Sequence, residues 1–172
     1  PENVHINENI QWHSMVLDDV RRLAELKLGC TITLNRAYKL CDMKPMYGLV
    51  FSDYIKNYSF WGFGDTDVIY GDVFNYLNSI DYNRYDKINW MGHLCFMRNI
   101  PEINAIAMKE IPGTVSPQEI LKEESNQGYD ERDFNKKCLS CGVKLYNNQW
   151  AADIDIFYWR MRCADLKTFH WL

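Results

Sequence analysis

The chain has 172 residues, 47% of them hydrophobic and 24% charged, which suits one domain with a core and excludes a disordered chain. A formal charge of −4 gives no dominant basic patch and argues against nucleic acid as a partner. No apolar run is long enough to span a bilayer, which leaves room for a peripheral membrane contact.

Pro1 to Ile6 reads as the middle of a domain, with a short strand expected at Val4 to Ile6. A helix is expected from Ser14, as its cap, through Leu28, with Val16, Val20, Leu23 and Lys27 on one stripe and Gly29 as its stop. Thr31 to Leu34 is ambiguous. Arg36 and Lys39 follow, cations that could meet a phosphate or could be ordinary surface charges. Asp42 is the expected cap of a second helix, with Pro45 in its first turn and Met46, Leu49, Val50 and Tyr54 at helical spacing.

The segment from Tyr58 to Asp72 carries the main chemical signal. Ser59 to Gly64 reads as an aromatic strand, and Asp65 and Asp67 follow one residue apart. On an extended chain, side chains two apart share a face, so this spacing predicts two hard oxygen ligands for Mg²⁺ or Mn²⁺, cations that also take diphosphate oxygens. Asp72 would cap a helix over Val73 to Leu77. Short strands are expected at Lys87 to Trp90 and Leu94 to Met97. His93 lies between them, either as a metal or phosphate ligand or as a satisfied histidine at a strand end. Pro101 opens a helix over Glu102 to Lys109, and Gly113 to Pro117 is a loop.

From Glu119 to Asp130 the chain is acidic and polar, and Asp130, Glu131 and Asn135 then surround Phe134. They read either as a solvated helix face or as carboxylates for acceptor binding and base work. Val143 to Tyr146 is a further strand; Asp153 and Asp155 form a second alternating acidic pair, and the aromatic-rich end from Ile154 to Leu172 looks like an element needing a partner surface. The cysteines are Cys30, Cys41, Cys95, Cys138, Cys141 and Cys163, expected as reduced thiols of a cytosolic protein. Cys138 and Cys141 have zinc-knuckle or redox spacing, but without a second pair two thiols on one helical turn is the simpler reading.

Three stretches taken together, Tyr38 to Gly48, Phe60 to Asp72 and Gly92 to Asn99, resemble a bacterial family of glycosyltransferase-like proteins associated with surface or capsular polysaccharide synthesis. The resemblance covers roughly residues 1 to 135. It implies an α/β fold of the GT-A, nucleotide-diphospho-sugar transferase type: a mixed central sheet flanked by helices, as a single domain over 1–172 that lacks its N-terminal nucleotide-binding strand. It implies a hexosyltransferase moving sugar from a nucleotide-diphospho-sugar donor to a glycan or lipid-linked glycan acceptor, in the cytoplasm or at the inner face of the membrane. Asp65 and Asp67 would hold Mn²⁺ or Mg²⁺. Asp130 or Glu131 would serve the acceptor hydroxyl, and His93, Arg36, Lys39 and Asn135 would contact substrate. Glu131 stands where glycogenin-like and lipopolysaccharide galactosyltransferase-like enzymes of that fold usually have Gln. Two other readings stay open: a haloacid dehalogenase-type phosphatase with Asp65 as nucleophile and Asp67 as acid/base, and a non-catalytic scaffold of polysaccharide assembly.

Overall fold

The computed structural model describes residues 9–148, 150–155, 160–165 and 170–171, the last three groups as backbone. The expected strand at Val4 to Ile6 lies outside the described residues. The helices are α1 (Leu17–Leu28), α2 (Leu40–Met43), α3 (Tyr47–Val50), α4 (Ser52–Ile55), α5 (Val73–Asn78), α6 (Pro101–Asn104), α7 (Pro117–Lys122) and α8 (Asp133–Ser140). The strands are β1 (Phe60–Gly64), β2 (Lys87–Ile88), β3 (Leu94–Arg98), β4 (Leu145–Tyr146), β5 (Trp150–Asp155), β6 (Arg160–Asp165) and β7 (His170–Trp171).

The architecture is mixed α/β. A small open sheet in the order β1-β3-β2-β4 is flanked by helices. β3 pairs antiparallel with both β1 and β2, whereas β4 joins β2 in parallel, so the sheet is mixed as expected. β5, β6 and β7 form a separate antiparallel sheet of three strands. Asp153 and Asp155 therefore lie on a strand, and the rest of the aromatic-rich end falls partly outside the described residues.

Alternation along β1 and β3 decides where the core sits. Trp61 and Phe63 of β1 and Cys95 and Met97 of β3 are buried on one face, against Met43, Met46, Val50, Ile106, Leu121, Tyr129 and Phe134. Trp61 also donates its indole N–H to Asn104 Oδ1 at 2.8 Å, so the buried polar atom is satisfied. The Trp61 ring lies against Gly48, where an added Cβ would sit 2.6 Å from it. That close approach seats β1 on α3.

Several helices form differently from the sequence reading. α1 begins at Leu17, three residues after Ser14. The Val16 N–H donates to the Asp19 carboxylate, and Gly29, at φ 69°, closes the helix by donating to the Glu25 carbonyl. The expected single helix after Asp42 is instead a chain of short turns: a 3-10 turn at Ala37–Lys39, α2, a second 3-10 turn at Lys44–Met46, α3 and α4. Pro45 does enter at the start of the second 3-10 turn. Asp42 caps none of these, because its carboxylate is spent on a distant loop: the N–H groups of Gln127 and Tyr129 both donate to it at 2.9 Å. Met46 and Val50 are buried, while Tyr54 faces solvent. Asp72 caps α5 as expected, accepting the Asn75 N–H at 3.0 Å. The helix opened by Pro101 runs only to Asn104 before tightening to 3-10 geometry over Ala105–Met108. Cys138 and Cys141 sit one turn apart on and just after α8, the first buried and the second exposed, and burial pushes the Cys138 thiol up to about 12.

Candidate functional site

β1 stops at Gly64 and the chain turns at Thr66 and Asp67, so the two carboxylates do not share one face of a strand. This corrects the expected geometry of the pair. Gly64 is the last residue paired across the ladder, opposite Leu94, and beyond it the extended backbone that period-two alternation needs is gone. Asp65 turns to the core side, and Asp67 is exposed and makes no hydrogen bond or ion pair among the described residues. Tyr70 folds the following loop back over the strand end. Its hydroxyl lies 2.7 Å from the carbonyl oxygens of both Asp65 and His93 and shares its proton between them. The Asp65 N–H donates to the same His93 carbonyl at 3.1 Å.

Asp65 is held from two sides. The Lys44 ammonium donates to its Oδ1, and His93 Nδ1 stands 2.9 Å from its Oδ2. Burial would push the Asp65 carboxyl up, but the Lys44 and His93 hydrogen bonds outweigh it and hold the pKa below its ordinary value. Lys44 comes from the buried 3-10 turn, with Met43, Pro45 and Met46 in the core around it. Its ammonium also lies 3.5 Å from Asp130 Oδ2. Burial alone would lower the Lys44 pKa, yet the Asp65 hydrogen bond and the Asp130 charge raise it, so it stays a cation.

Asp130 is the most perturbed carboxylate of the group. It is 5% exposed, and burial pushes it up to about 6 against the pull of Lys44, with the charges of Glu131 and Asp42 pushing the same way as burial. Gly92 makes room for it: a Cβ there would lie 2.5 Å from Asp130 Oδ2. Glu131, half-buried, comes next to the same glycine. Asp65, Lys44, His93 and Asp130 thus meet where β1 ends, brought from four separate stretches of chain.

The other expected site residues are placed elsewhere or hold the frame. Lys39 is buried as an ion pair with Asp42 at 2.8 Å and donates to the Ser125 carbonyl at 2.9 Å, so its charge is satisfied inside the protein. Arg36 is exposed, and its side chain makes no hydrogen bond or ion pair among the described residues. Asn135 is fully buried. It accepts from the Lys87 ammonium and donates to the carbonyls of Trp90 at 3.1 Å and Glu131 at 2.8 Å, tying the Asp130 segment to the loop that carries His93. Sequence reasoning missed Lys44, Gly92, Tyr70 and the buried role of Asp42. For Lys44 a signal existed: it is a lone cation between Met43 and Met46, inside the Tyr38 to Gly48 stretch that carries the resemblance.

A divalent ion needs several oxygen ligands, and Mg²⁺ keeps near-octahedral geometry with one or two protein carboxylates plus substrate phosphates. Both oxygens of Asp65 are already engaged, by an ammonium and an imidazole, and Asp67 stands apart in solvent. No group of three or more His, Cys, Asp or Glu side chains is arranged to hold a metal ion among the described residues. As arranged, these residues do not fit a divalent cation. What the arrangement offers is a proton-exchanging carboxyl, Asp130, beside a fixed cation. Perturbation by burial together with a specific charge partner is the pattern of a working acid or base.

No helix among the described residues is long and apolar enough to cross a membrane. A family model described as a family of unknown function (DUF6625) matches residues 2–170, and the chain belongs to that family. Neither the curated proteins nor the solved structures contain a match to it.

Proposed function

We propose that this chain is a glycosyltransferase of GT-A type that takes a hexose from a nucleotide-diphospho-sugar and passes it to a hydroxyl of a glycan or lipid-linked glycan. One observation carries the reading. At the end of a strand in the mixed sheet, Asp65, Lys44, His93 and Asp130 converge, and Asp130 has a pKa of about 6. A base with that pKa is ionised near neutrality and still takes a proton readily, which is what removing the acceptor hydroxyl proton during transfer requires. The half-exposed His93 ring stands on the solvent side of the cluster and is the group placed to meet donor sugar or phosphate. Asp65 and Lys44 hold that ring and Asp130 in one fixed constellation. Asn135, through its bonds to Trp90 and Glu131, positions the segment instead of touching substrate.

The phosphatase reading draws less from the geometry. β1 is an edge strand paired antiparallel, whereas ligand sites of doubly wound enzymes lie at the carboxyl ends of parallel strands. The Lys44 ammonium also occupies the Asp65 oxygen that a nucleophile would present.

The test is release of nucleoside diphosphate from a panel of nucleotide-diphospho-hexoses, followed by chromatography with simple glycans as acceptors. Asp130→Asn should lower turnover by roughly 10²- to 10⁴-fold, the usual contribution of a positioned base. No release from any donor, or unchanged turnover in Asp130→Asn, would sink the proposal. Failure of turnover with a stable protein partner in pull-down would favour a scaffold.

A further inference from the structure

We propose that the Lys44 ammonium is the built-in cation of this site and competes with divalent metal for Asp65. The inference rests on reading Asp65 as part of the functional site, but its test needs no turnover. Lys44 is 8% exposed and sits on a turn whose other residues, Pro45 and Met46, are buried in the core, so its stem cannot swing freely into solvent. Its head spans two carboxylates, bonded to Asp65 Oδ1 and 3.5 Å from Asp130 Oδ2. The remaining Asp65 oxygen is covered by His93 Nδ1 at 2.9 Å.

A metal approaching Asp65 therefore meets one positive group already in place and a ring nitrogen on the other oxygen. Displacing Lys44 would leave a buried ammonium with Asp130 as its sole nearby carboxylate, and uncompensated buried charge is costly. Geometry thus favours the ammonium over the ion. One ammonium can bridge two carboxylates, offsetting one of their two charges, without needing the several oxygen ligands a divalent ion demands.

The measurement is binding of Mn²⁺ alone, followed by electron paramagnetic resonance of the free ion, to the wild-type chain and to Asp65→Asn, Lys44→Met and Lys44→Met/Asp65→Asn. The proposal expects wild type to bind no more tightly than Asp65→Asn. It expects Lys44→Met to bind more than about tenfold tighter, because a charge roughly 4 Å from a divalent ion matters by that much even at the dielectric constant of water. The gain should vanish in the double variant. An affinity present in wild type, lost in Asp65→Asn and unchanged in Lys44→Met would overturn it. Should Lys44→Met not fold, the wild type decides by itself. Broadening of the His93 ring resonances at substoichiometric Mn²⁺ in wild type that is lost in Asp65→Asn would place the ion at Asp65 and refute the proposal; broadening equal in both proteins, or none, would support it. Absence of glycosyl transfer would overturn the enzymatic reading and leave these outcomes as they stand.

Discussion

Replacing Asp130 by Asn should make the protein more stable at neutral pH while removing its proposed base. Burial raises the Asp130 pKa from an ordinary 3.8 to about 6 in the folded chain. Between those two values the folded state binds a proton that the unfolded state has released. Stability from this group is therefore full below pH 3.8, falls as pH rises through the window, and is level again above 6. A displacement of about two pKa units at 1.36 kcal/mol each puts the penalty at about 3 kcal/mol above pH 6, a figure already net of the Lys44 attraction. Asp130→Asn carries no charge to desolvate and should gain a sizeable part of that energy at pH 7.5 and almost none at pH 3.5. Urea unfolding of both proteins across pH 3.5 to 8, with equal m-values as the check on two-state behaviour, reads the difference directly. If Asp130→Asn is destabilised at pH 7.5, or if its stability relative to wild type does not change with pH, then the Lys44 attraction exceeds the burial penalty and the argument for a strained carboxyl fails.

Gly92→Ala should damage the same carboxyl from the other side. Its Cβ would lie 2.5 Å from Asp130 Oδ2, so the carboxylate must move, at a cost of about 1–3 kcal/mol and with a loss of transfer activity larger than the loss of fold; thermal melting beside turnover separates the two. Asp42→Ala removes the partner of the buried Lys39 ammonium and the acceptor of two backbone N–H groups, at Gln127 and Tyr129. It should cost about 3–5 kcal/mol by chemical denaturation, with amide exchange accelerating first at Gln127 and Tyr129, and a cost under 1 kcal/mol would contradict the buried-pair account.

Much of the frame was legible because it is local. The Asp72 cap, the Gly29 stop and the aromatic strand all depend on residues a few positions apart, and each formed where the spacing predicted. The helix after Asp42 was misread for the opposite reason. Asp42 looks like a cap when only its neighbours are considered, yet its oxygens serve N–H groups 85 and 87 residues away. Lys39 follows it inward as counter-ion, so a residue type that is nearly always exposed became part of the interior. The Asp65 and Asp67 pair shows the limit of periodicity: alternation holds only while the strand lasts, and this strand ends at Gly64, before either carboxylate. His93, Asp65 and Asp130 were picked out one by one. The resemblance put them in one site, but the cation that joins Asp65 to Asp130 was given no role, although Lys44 lies inside the Tyr38 to Gly48 stretch.

The reach of Asp42 has a consequence for how the molecule comes together. Its bonds to the 127–129 loop enclose β1, β2 and β3, so they tie the acidic group next to that loop to a turn 85 residues earlier in the chain. Contacts of such high sequence separation carry the largest chain-closure cost and slow folding accordingly. A species with β1 and β3 already zipped together would have Asp65 and His93 side by side but no partner acid. Pulse-labelled amide exchange during refolding should therefore show the β1–β3 ladder protected no later than the Gln127 and Tyr129 N–H groups.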